Sequence, residues 1–140
     1  MSIAELYQLY TQNYLIDTDT RSIRQGTLFF ALKGANFNGN TFAEKALEAG
    51  ASYAVIDEAE YKTSDKTILV DDVLKTLQKL ANYHRNQLDI PFIGLTGSNG
   101  KTTTKELIHA VLKTQFKTSA TSGNYNNHIG VPLTLLAIQP

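Results

Sequence analysis

The chain has 140 residues, 13 of them basic and 13 acidic, and it contains no cysteine. The balanced charge argues against a general attraction to nucleic acid or to a membrane surface, and the lack of cysteine excludes disulfides and thiolate metal sites. The first residues lack a signal peptide, and no stretch approaches the roughly 18 apolar residues of a membrane span. We therefore expect a soluble, cytoplasmic chain.

Helices and strands alternate in the first half of the sequence. Ser2 and Glu5 have the spacing of a capping box, which predicts a short first helix. A second such box, from Thr41 to Glu44, predicts a helix that ends at Gly50. Apolar, β-prone runs predict the strands. The first predicted strand lies within residues 14–22, where it runs into a polar loop. The other predicted strands are residues 27–32, 52–57 and 67–70.

A longer helix follows the last of these strands. Asp71 or Asp72 is expected to cap it, and an apolar stripe at helical spacing marks its buried face. His84 lies on this stripe, and we interpret it as a satisfied core or boundary histidine rather than a catalytic one. The helix is expected to end before Pro91, because proline disfavours helical backbone in the residue before it. We place a domain boundary there, between residues 1–88 and residues 89–140.

A glycine-rich turn between a predicted strand and a predicted helix dominates the second part. Residues 92–95 form a short apolar run typical of a buried strand, and apolar residues recur at helical spacing after Lys105. The glycines between them allow a tight turn whose backbone N–H groups face a phosphate at a helix N-terminus. The predicted triphosphate-binding residues are Gly97, Ser98, Asn99, Gly100, Lys101, Thr102 and Thr103, where Lys101 adds a positive charge and Thr102 a hydroxyl for magnesium.

The spacing of this turn is shorter than that of the long phosphate-loop motif. Five residues before Gly100 stands Leu95 rather than a glycine. The alternative is a structural turn with a solvated lysine, but the order of strand, turn, lysine, hydroxyl and helix favours a nucleotide site. A generic phosphate-loop kinase or GTPase is less favoured, because no base-recognition or switch segment is present.

An asparagine-rich loop follows a further predicted strand at residues 116–121. If that strand is the parallel neighbour of residues 92–95, the loop lies beside the phosphate turn, at the edge where such sheets bind ligands. Its amides would then contact a polyphosphate, although a simple cluster of turn-forming residues is an equal alternative. His128 is either a phosphate contact or a solvated loop residue. The candidate residues are Asn124, Asn126 and Asn127.

These elements together predict an α/β protein. A small N-terminal α/β domain with a mixed sheet is followed by the first strand-loop-helix-strand of a phosphate-loop nucleotide-binding domain. Because one crossover unit cannot close such a sheet, we expect the second domain to be truncated.

In the first domain, Arg21 suits a phosphate or carboxylate. Phe37 could stack on a base, although a lone loop aromatic more often covers the core.

Three stretches of the chain resemble the Mur ligase family. Residues 18–21 and 26–34 look like the family's N-terminal uridine-nucleotide signature, and residues 96–103 are similar to its short phosphate loop, which explains the spacing. Residues 123–134 look like the members that add D-alanyl-D-alanine more than the tripeptide-forming members. The resemblance extends from about residue 14 to the end of the chain.

The resemblance implies an ATP-dependent ligase that joins D-alanyl-D-alanine to UDP-MurNAc-tripeptide through an acyl phosphate in peptidoglycan precursor synthesis. It implies ATP and Mg²⁺ as cofactors, with Lys101 as the catalytic residue on the β- and γ-phosphates and Thr102 as the metal ligand. We also expect a monomeric parent enzyme with no nucleic-acid partner and no membrane insertion. The implied substrate-binding residues are Thr20, Arg21, Ala35, Asn36, Phe37, Asn124, Asn126 and Asn127.

Two parts of the chain depart from the family pattern. Thr20 stands where serine is usual, so a hydroxyl is kept, and residues 38–40 read Asn-Gly-Asn where many members have Asp-Gly-His. A ligase that adds the third peptide residue and a non-catalytic UDP-sugar-binding module remain as alternatives. Because members of the family run to several hundred residues, we expect this chain to be an N-terminal fragment that binds substrate but does not ligate.

Overall fold

The computed structural model describes residues 1–123 and 125–139, and a parallel sheet organises their first half. The strands in chain order are β1 (Ile16–Asp17), β2 (Leu28–Phe30), β3 (Lys33–Gly34), β4 (Phe37–Asn38), β5 (Tyr53–Ile56) and β6 (Thr67–Leu69). Strands β1, β2, β5 and β6 lie side by side in that order, and each neighbouring pair is parallel. Strands β3 and β4 form a separate antiparallel pair. The α/β class is confirmed, with parallel and antiparallel pairing divided between two sheets instead of one mixed sheet.

Helices flank the sheet and continue beyond it. In chain order they are α1 (Ile3–Tyr10), α2 (Ala43–Glu48), α3 (Val73–Gln87), α4 (Lys101–Leu112) and α5 (Gly130–Leu136). The predicted capping box of α1 is confirmed. The hydroxyl of Ser2 accepts from the backbone N–H of Glu5 at 3.2 Å, and the Glu5 carboxylate accepts from the backbone N–H of Ser2 at 2.6 Å.

The other two predicted helix starts have different outcomes. Asp72, one of the two candidates, caps α3 by accepting from the backbone N–H of Lys75 at 2.8 Å. The second capping box is wrong, because the Thr41 hydroxyl donates to the Asn38 carbonyl at 2.8 Å within a short 3₁₀ helix, Gly39–Phe42. This extra turn delays the start of α2 to Ala43.

Alternate residues of the central strands pack into two separate cores. Leu28 and Phe30 of β2 join the larger core, with residues of α1, α3 and α5, whereas Phe29 joins a smaller core that includes residues of α2. This division follows from the two-residue period of a strand, which sends successive side chains to opposite faces. The sheet is therefore covered by helices on both faces, as expected of parallel strands.

His84 is fully buried where α1, α3 and the end of α5 meet. Its Nδ1 lies 3.1 Å from the hydroxyl of Tyr7, and its Nε2 lies 2.8 Å from the carbonyl oxygen of Ile138. Both ring nitrogens therefore have partners, which confirms the interpretation of a satisfied core histidine.

Two predicted strands in the second part are wrong. Within the described chain, residues 92–95 and 116–121 pair with no other strand, and Ile93 and Phe116 are exposed. An apolar run has a high β propensity, but a strand also needs a hydrogen-bonded neighbour. The turn and helix between them form as predicted, with α4 beginning at Lys101.

The last helix packs against the first half of the chain. Leu136 is 2% exposed and belongs to the larger core. The hydroxyl of Tyr10 donates to the Leu136 carbonyl at 2.7 Å, next to the bond between His84 and Ile138. Helix α5 therefore contacts the predicted N-terminal domain although it follows the predicted boundary, and the division into residues 1–88 and 89–140 stays a prediction.

Candidate functional site

Three loops meet the same edge of the parallel sheet. Because β1, β2 and β5 are parallel, the residues that follow each strand lie at one edge, where open α/β sheets bind ligands. We call this the carboxyl edge and define it as residues 18–22 after β1, residues 33–40 after β2 and residues 57–58 after β5. The sheet thus gives the two predicted uridine-binding segments, residues 20–21 and 35–37, a common edge.

Arg21 lies in a short 3₁₀ helix, Thr20–Ser22, that Asp19 caps. Asp19 accepts from the backbone N–H of Arg21 at 2.9 Å, and Arg21 Nη2 lies 2.5 Å from Asp19 Oδ2. These hydrogen bonds lower the pKa of Asp19 to about 2. The Arg21 side chain is still 86% exposed, so an anion can approach its guanidinium.

The tip of the β3–β4 hairpin is the other predicted uridine-binding segment. Ala35 and Asn36 join the two strands and are exposed. Phe37 stacks on Phe42, with ring centroids 5.3 Å apart, and is nevertheless 52% exposed. Phe37 therefore covers a neighbouring side chain and also keeps aromatic surface on which a base can stack.

A polar cluster at the base of this hairpin was missed by the sequence reasoning. Lys33 Nζ lies 2.9 Å from Asp57 Oδ1 and 3.3 Å from Glu58 Oε1. Asn38 Nδ2 donates to Glu58 at 2.9 Å, and Asn40 Nδ2 donates to Asp57 at 2.9 Å. The available signal was a pair of acidic residues directly after a buried strand, at the carboxyl edge of the predicted sheet.

Asp57 is the centre of this cluster. Its backbone N–H donates to the Asn40 side chain at 2.9 Å, and its carboxylate accepts from the backbone N–H of Val73, the first residue of α3, at 3.3 Å. Burial raises the pKa of Asp57, but hydrogen bonds from Lys33 and Asn40 outweigh burial and leave it below the ordinary value. The positive end of the α3 dipole further favours the ionised carboxylate.

The phosphate turn has an open backbone surface. Gly97 and Gly100 have φ angles of 142° and 78°, which L-residues rarely adopt, and an added Cβ at either position would meet no atom within 4 Å. A ligand can therefore approach the backbone here without steric hindrance. Lys101 Nζ folds back over the turn and donates to the Gly97 carbonyl, and Thr102 is exposed in the first turn of α4.

The start of the asparagine-rich loop lies beside α4, although the pair of strands on which its predicted position depended does not form within the described residues. Lys105, one turn after Lys101, donates through Nζ to the carbonyl oxygens of Thr121 and Gly123 at 2.5 and 3.3 Å. The loop therefore contacts the helix that begins at the phosphate turn, although no strand ladder connects them within the described part of the chain.

The three candidate asparagines differ in their surroundings. Asn124 lies outside the described residues, and Asn126 is exposed. Asn127 accepts through Oδ1 from the backbone N–H groups of Ile129 and Gly130 at 3.1 and 2.7 Å, so its carbonyl oxygen supports the start of α5. Asn127 therefore acts at least as a turn residue, the structural alternative for this loop.

The described residues contain neither a cluster suited to a metal ion nor a helix suited to a membrane. Across residues 1–123 and 125–139, no three His, Asp or Glu side chains lie close enough together to hold a metal ion. In the same ranges, no helix is long and apolar enough to cross a membrane.

Family models match both parts of the chain. The model described as "Mur ligase family, catalytic domain" matches residues 13–85, and the "Mur ligase middle domain" matches residues 95–140. The chain belongs to the Mur ligase family. The family resemblance inferred from the uridine signature, the phosphate turn and the asparagine-rich loop is thereby confirmed.

Relatives of this Mur ligase chain have consistent names. It is 50% identical over 125 residues to a UDP-N-acetylmuramoyl-tripeptide–D-alanyl-D-alanine ligase from Bacillus subtilis, covering 88% of this chain and 27% of the relative. The Escherichia coli ligase of the same name is 39% identical, with 89% of this chain and 27% of the relative covered. The chain thus spans roughly a quarter of the length of these curated relatives.

Solved structures of MurF ligases also match this chain. A MurF ligase from Thermotoga maritima in complex with ADP matches with a TM-score of 0.81 and 34% identity, covering 90% of this chain and 29% of that one. MurF from Acinetobacter baumannii matches with a TM-score of 0.82 and 34% identity, covering 97% and 33%. The family fold is therefore shared by nearly the whole of this Mur ligase chain.

Residues 38–40, which depart from the family's Asp-Gly-His pattern, are closely packed against the rest of the first half. Asn40 is fully buried and exchanges hydrogen bonds with Asp57 in both directions. An added Cβ on Gly39 would lie 2.3 Å from the Leu32 carbonyl oxygen, so the backbone is tightly packed at this point. In this Mur ligase chain, residues 39–40 are therefore part of the scaffold under the hairpin.

Proposed function

We propose that the protein is an ATP-dependent ligase that joins D-alanyl-D-alanine to UDP-MurNAc-tripeptide in peptidoglycan precursor synthesis. The observation that supports this most strongly is the open phosphate turn at the start of α4, the helix whose Lys105 donates to the Gly123 carbonyl at the start of the asparagine-rich loop. The names of the curated relatives support the choice of substrates, and the ADP complex of a related ligase supports nucleotide binding.

The phosphate turn would bind the triphosphate of ATP. We assign the cradle to the backbone N–H groups of residues 97–100 and the β- and γ-phosphates to Lys101, with Ser98, Asn99 and Thr103 at the rim. The exposed hydroxyl of Thr102 fits Mg²⁺, which takes few protein oxygens and completes its shell with phosphates and water. Bound there, Mg²⁺ would neutralise charge on the phosphates.

The carboxyl edge would bind the uridine diphosphate end of the other substrate. We assign the diphosphate to Thr20 and the exposed guanidinium of Arg21, and the uridine to Ala35, Asn36 and the open surface of Phe37. The asparagines of the loop at 124–127 would line the passage between the two nucleotide sites.

The proposed reaction has two steps. The γ-phosphoryl group is transferred to the terminal carboxylate of the tripeptide, giving an acyl phosphate and ADP. The amine of D-alanyl-D-alanine then attacks the acyl carbon, phosphate leaves and the amide forms. The residues of this chain would act by positioning the phosphates and stabilising their charge, the main source of catalysis in phosphoryl transfer.

The binding of Mg-ATP tests the phosphate site. Lys101→Ala should weaken binding to this chain at least about tenfold, since a charge-assisted bond to phosphate is lost. Lys113→Ala is the matched control, because it removes the same charge from the exposed C-terminal end of α4. Equal Mg-ATP affinity in all three proteins, measured by calorimetry, would mean that the turn is only structural.

The choice of amine is tested with the full-length protein. Phosphate release should depend on D-alanyl-D-alanine and not on a diamino acid. A ligase that adds the third residue would instead release phosphate with a diamino acid, and a non-catalytic module would release none.

We place the reaction in the cytoplasm, where ATP and uridine nucleotides are available. A monomeric state stays a prediction, which sedimentation of the full-length protein can check.

A further inference from the structure

The hairpin that presents residues 35–37 is too small to define its own position. Strands β3 and β4 have two residues each, and the tip is exposed. Isolated two-stranded hairpins are at best marginally stable in water. The orientation of the tip must therefore depend on contacts outside the two strands, which are the stacking of Phe37 on Phe42 and the bonds at the base of the hairpin.

Two adjacent carboxylates hold both strands at that base. Lys33, in β3, makes ion pairs with Asp57 and Glu58 at 2.9 and 3.3 Å. Asn38, in β4, donates to Glu58 at 2.9 Å. Because each strand is bonded separately, the hairpin is fixed against rotation as well as against separation from the sheet.

Asp57 is itself rigidly placed. Its side chain is only 8% exposed, and it lies directly after β5. It accepts from the buried side chain of Asn40 at 2.9 Å and from the backbone N–H of Val73 at 3.3 Å. The carboxylate thus connects the hairpin to the central sheet and to the N-terminus of α3, both of which contribute buried residues to the larger core.

We propose that Asp57, assisted by Glu58, is a positioning residue for the uridine nucleotide: it fixes the orientation of residues 35–37 without contacting the ligand. This inference depends on the proposed uridine site. Without the Asp57 charge, the hairpin occupies the binding-competent orientation for a smaller fraction of the time, and the apparent dissociation constant rises in inverse proportion to that fraction.

Titration of the chain with UDP tests the inference. Asp57→Asn keeps the size of the side chain but removes the nearer of the two carboxylate charges that pair with Lys33, and we expect the dissociation constant for UDP to rise about tenfold. Asp72→Ala is the matched control. Asp72 is a carboxylate at the same end of α3, but it bonds to Lys75 and not to the hairpin. The control should lower the melting temperature and leave UDP affinity within about twofold.

The sign of the effect separates positioning from direct contact. A carboxylate that faced the diphosphate would repel it, so its neutralisation would tighten UDP binding. Positioning requires weaker binding. It also requires faster hydrogen exchange of the amides of residues 33–38 in unliganded Asp57→Asn than in the unchanged chain or in Asp72→Ala.

The outcomes distinguish this inference from the proposed function. If the unchanged chain fails to bind UDP, the proposed uridine site is wrong and the inference fails with it. If the unchanged chain binds UDP and Asp57→Asn binds it equally or more tightly, the uridine site stands and only the positioning role is overturned. Weaker binding together with faster exchange in the hairpin supports both.

Discussion

At the scale of single residues, both ring nitrogens of His84 have hydrogen-bond partners. The Ile138 carbonyl oxygen can only accept, so Nε2 of His84 donates to it. Nδ1 is paired with the Tyr7 hydroxyl. Residue type and helical spacing were enough to predict a core histidine, but both partners are distant in sequence and could not be read from the pattern.

Replacement of His84 should therefore reduce stability. His84→Leu leaves the Tyr7 hydroxyl and the Ile138 carbonyl without their partner, and we expect a loss of about 1–3 kcal/mol in the free energy of unfolding. Urea denaturation followed by circular dichroism measures it. His128→Leu, at an exposed position, should change the value by no more than about 0.5 kcal/mol.

The lowered pKa of Asp57 predicts a loss of stability in acid. A carboxyl group whose pKa is lower in the folded state stabilises the fold above its unfolded pKa, near the ordinary 3.8, and loses that contribution as pH falls through the folded pKa. Melting temperatures measured from neutral pH into this acidic range should fall less steeply for Asp57→Asn than for the unchanged chain. Parallel curves would contradict the contribution of Asp57.

At the scale of elements, sequence patterns predicted the helix caps that depend on residues close together in the chain. The box at Ser2 and the cap at Asp72 involve residues three apart in sequence, and both formed. The box at Thr41 failed because a 3₁₀ turn used its hydroxyl elsewhere. The cluster around Asp57 was missed for a different reason: Lys33 and Asn40 reach it only after β2 and β5 have paired.

The turn under the hairpin should tolerate no side chain at Gly39. Because an added Cβ would lie 2.3 Å from a backbone oxygen of Leu32, the backbone itself must shift. We expect Gly39→Ala to reduce the free energy of unfolding by about 1–3 kcal/mol, the usual range for overpacking. Gly94→Ala, where an added Cβ meets no atom within 4 Å, is the control and should be nearly neutral in the same denaturation measurement.

At the scale of the whole molecule, α5 connects the asparagine-rich loop to the core of the first half. Leu136 and the bonds of Tyr10 and His84 to its C-terminal end make this connection. The sequence does not indicate where α5 packs, because apolar residues on a helix do not specify which apolar surface they will cover. The same applies to residues 92–95, whose apolar character did not produce a strand.

Truncation of Leu136 should show that α5 stabilises the first half. Leu136→Ala removes a side chain that is 2% exposed, and we expect a loss of about 2–5 kcal/mol. Far-ultraviolet circular dichroism, recorded during urea denaturation, should show that the parallel sheet unfolds cooperatively at a lower urea concentration in this variant. Leu107→Ala makes the same truncation at a residue of α4 that is 63% exposed, and it should cost less than about 0.5 kcal/mol.

The two connections near the C-terminal end of α3 restrict how the phosphate turn can move. Before the turn, the Arg85 guanidinium lies 4.3 Å from the centre of the Phe92 ring. After it, His84, the residue next to Arg85, binds the end of α5. The segment that contains the phosphate turn and α4 is therefore bound to neighbouring residues of α3 on both sides, which limits how far Lys101 can move from the first half of the chain.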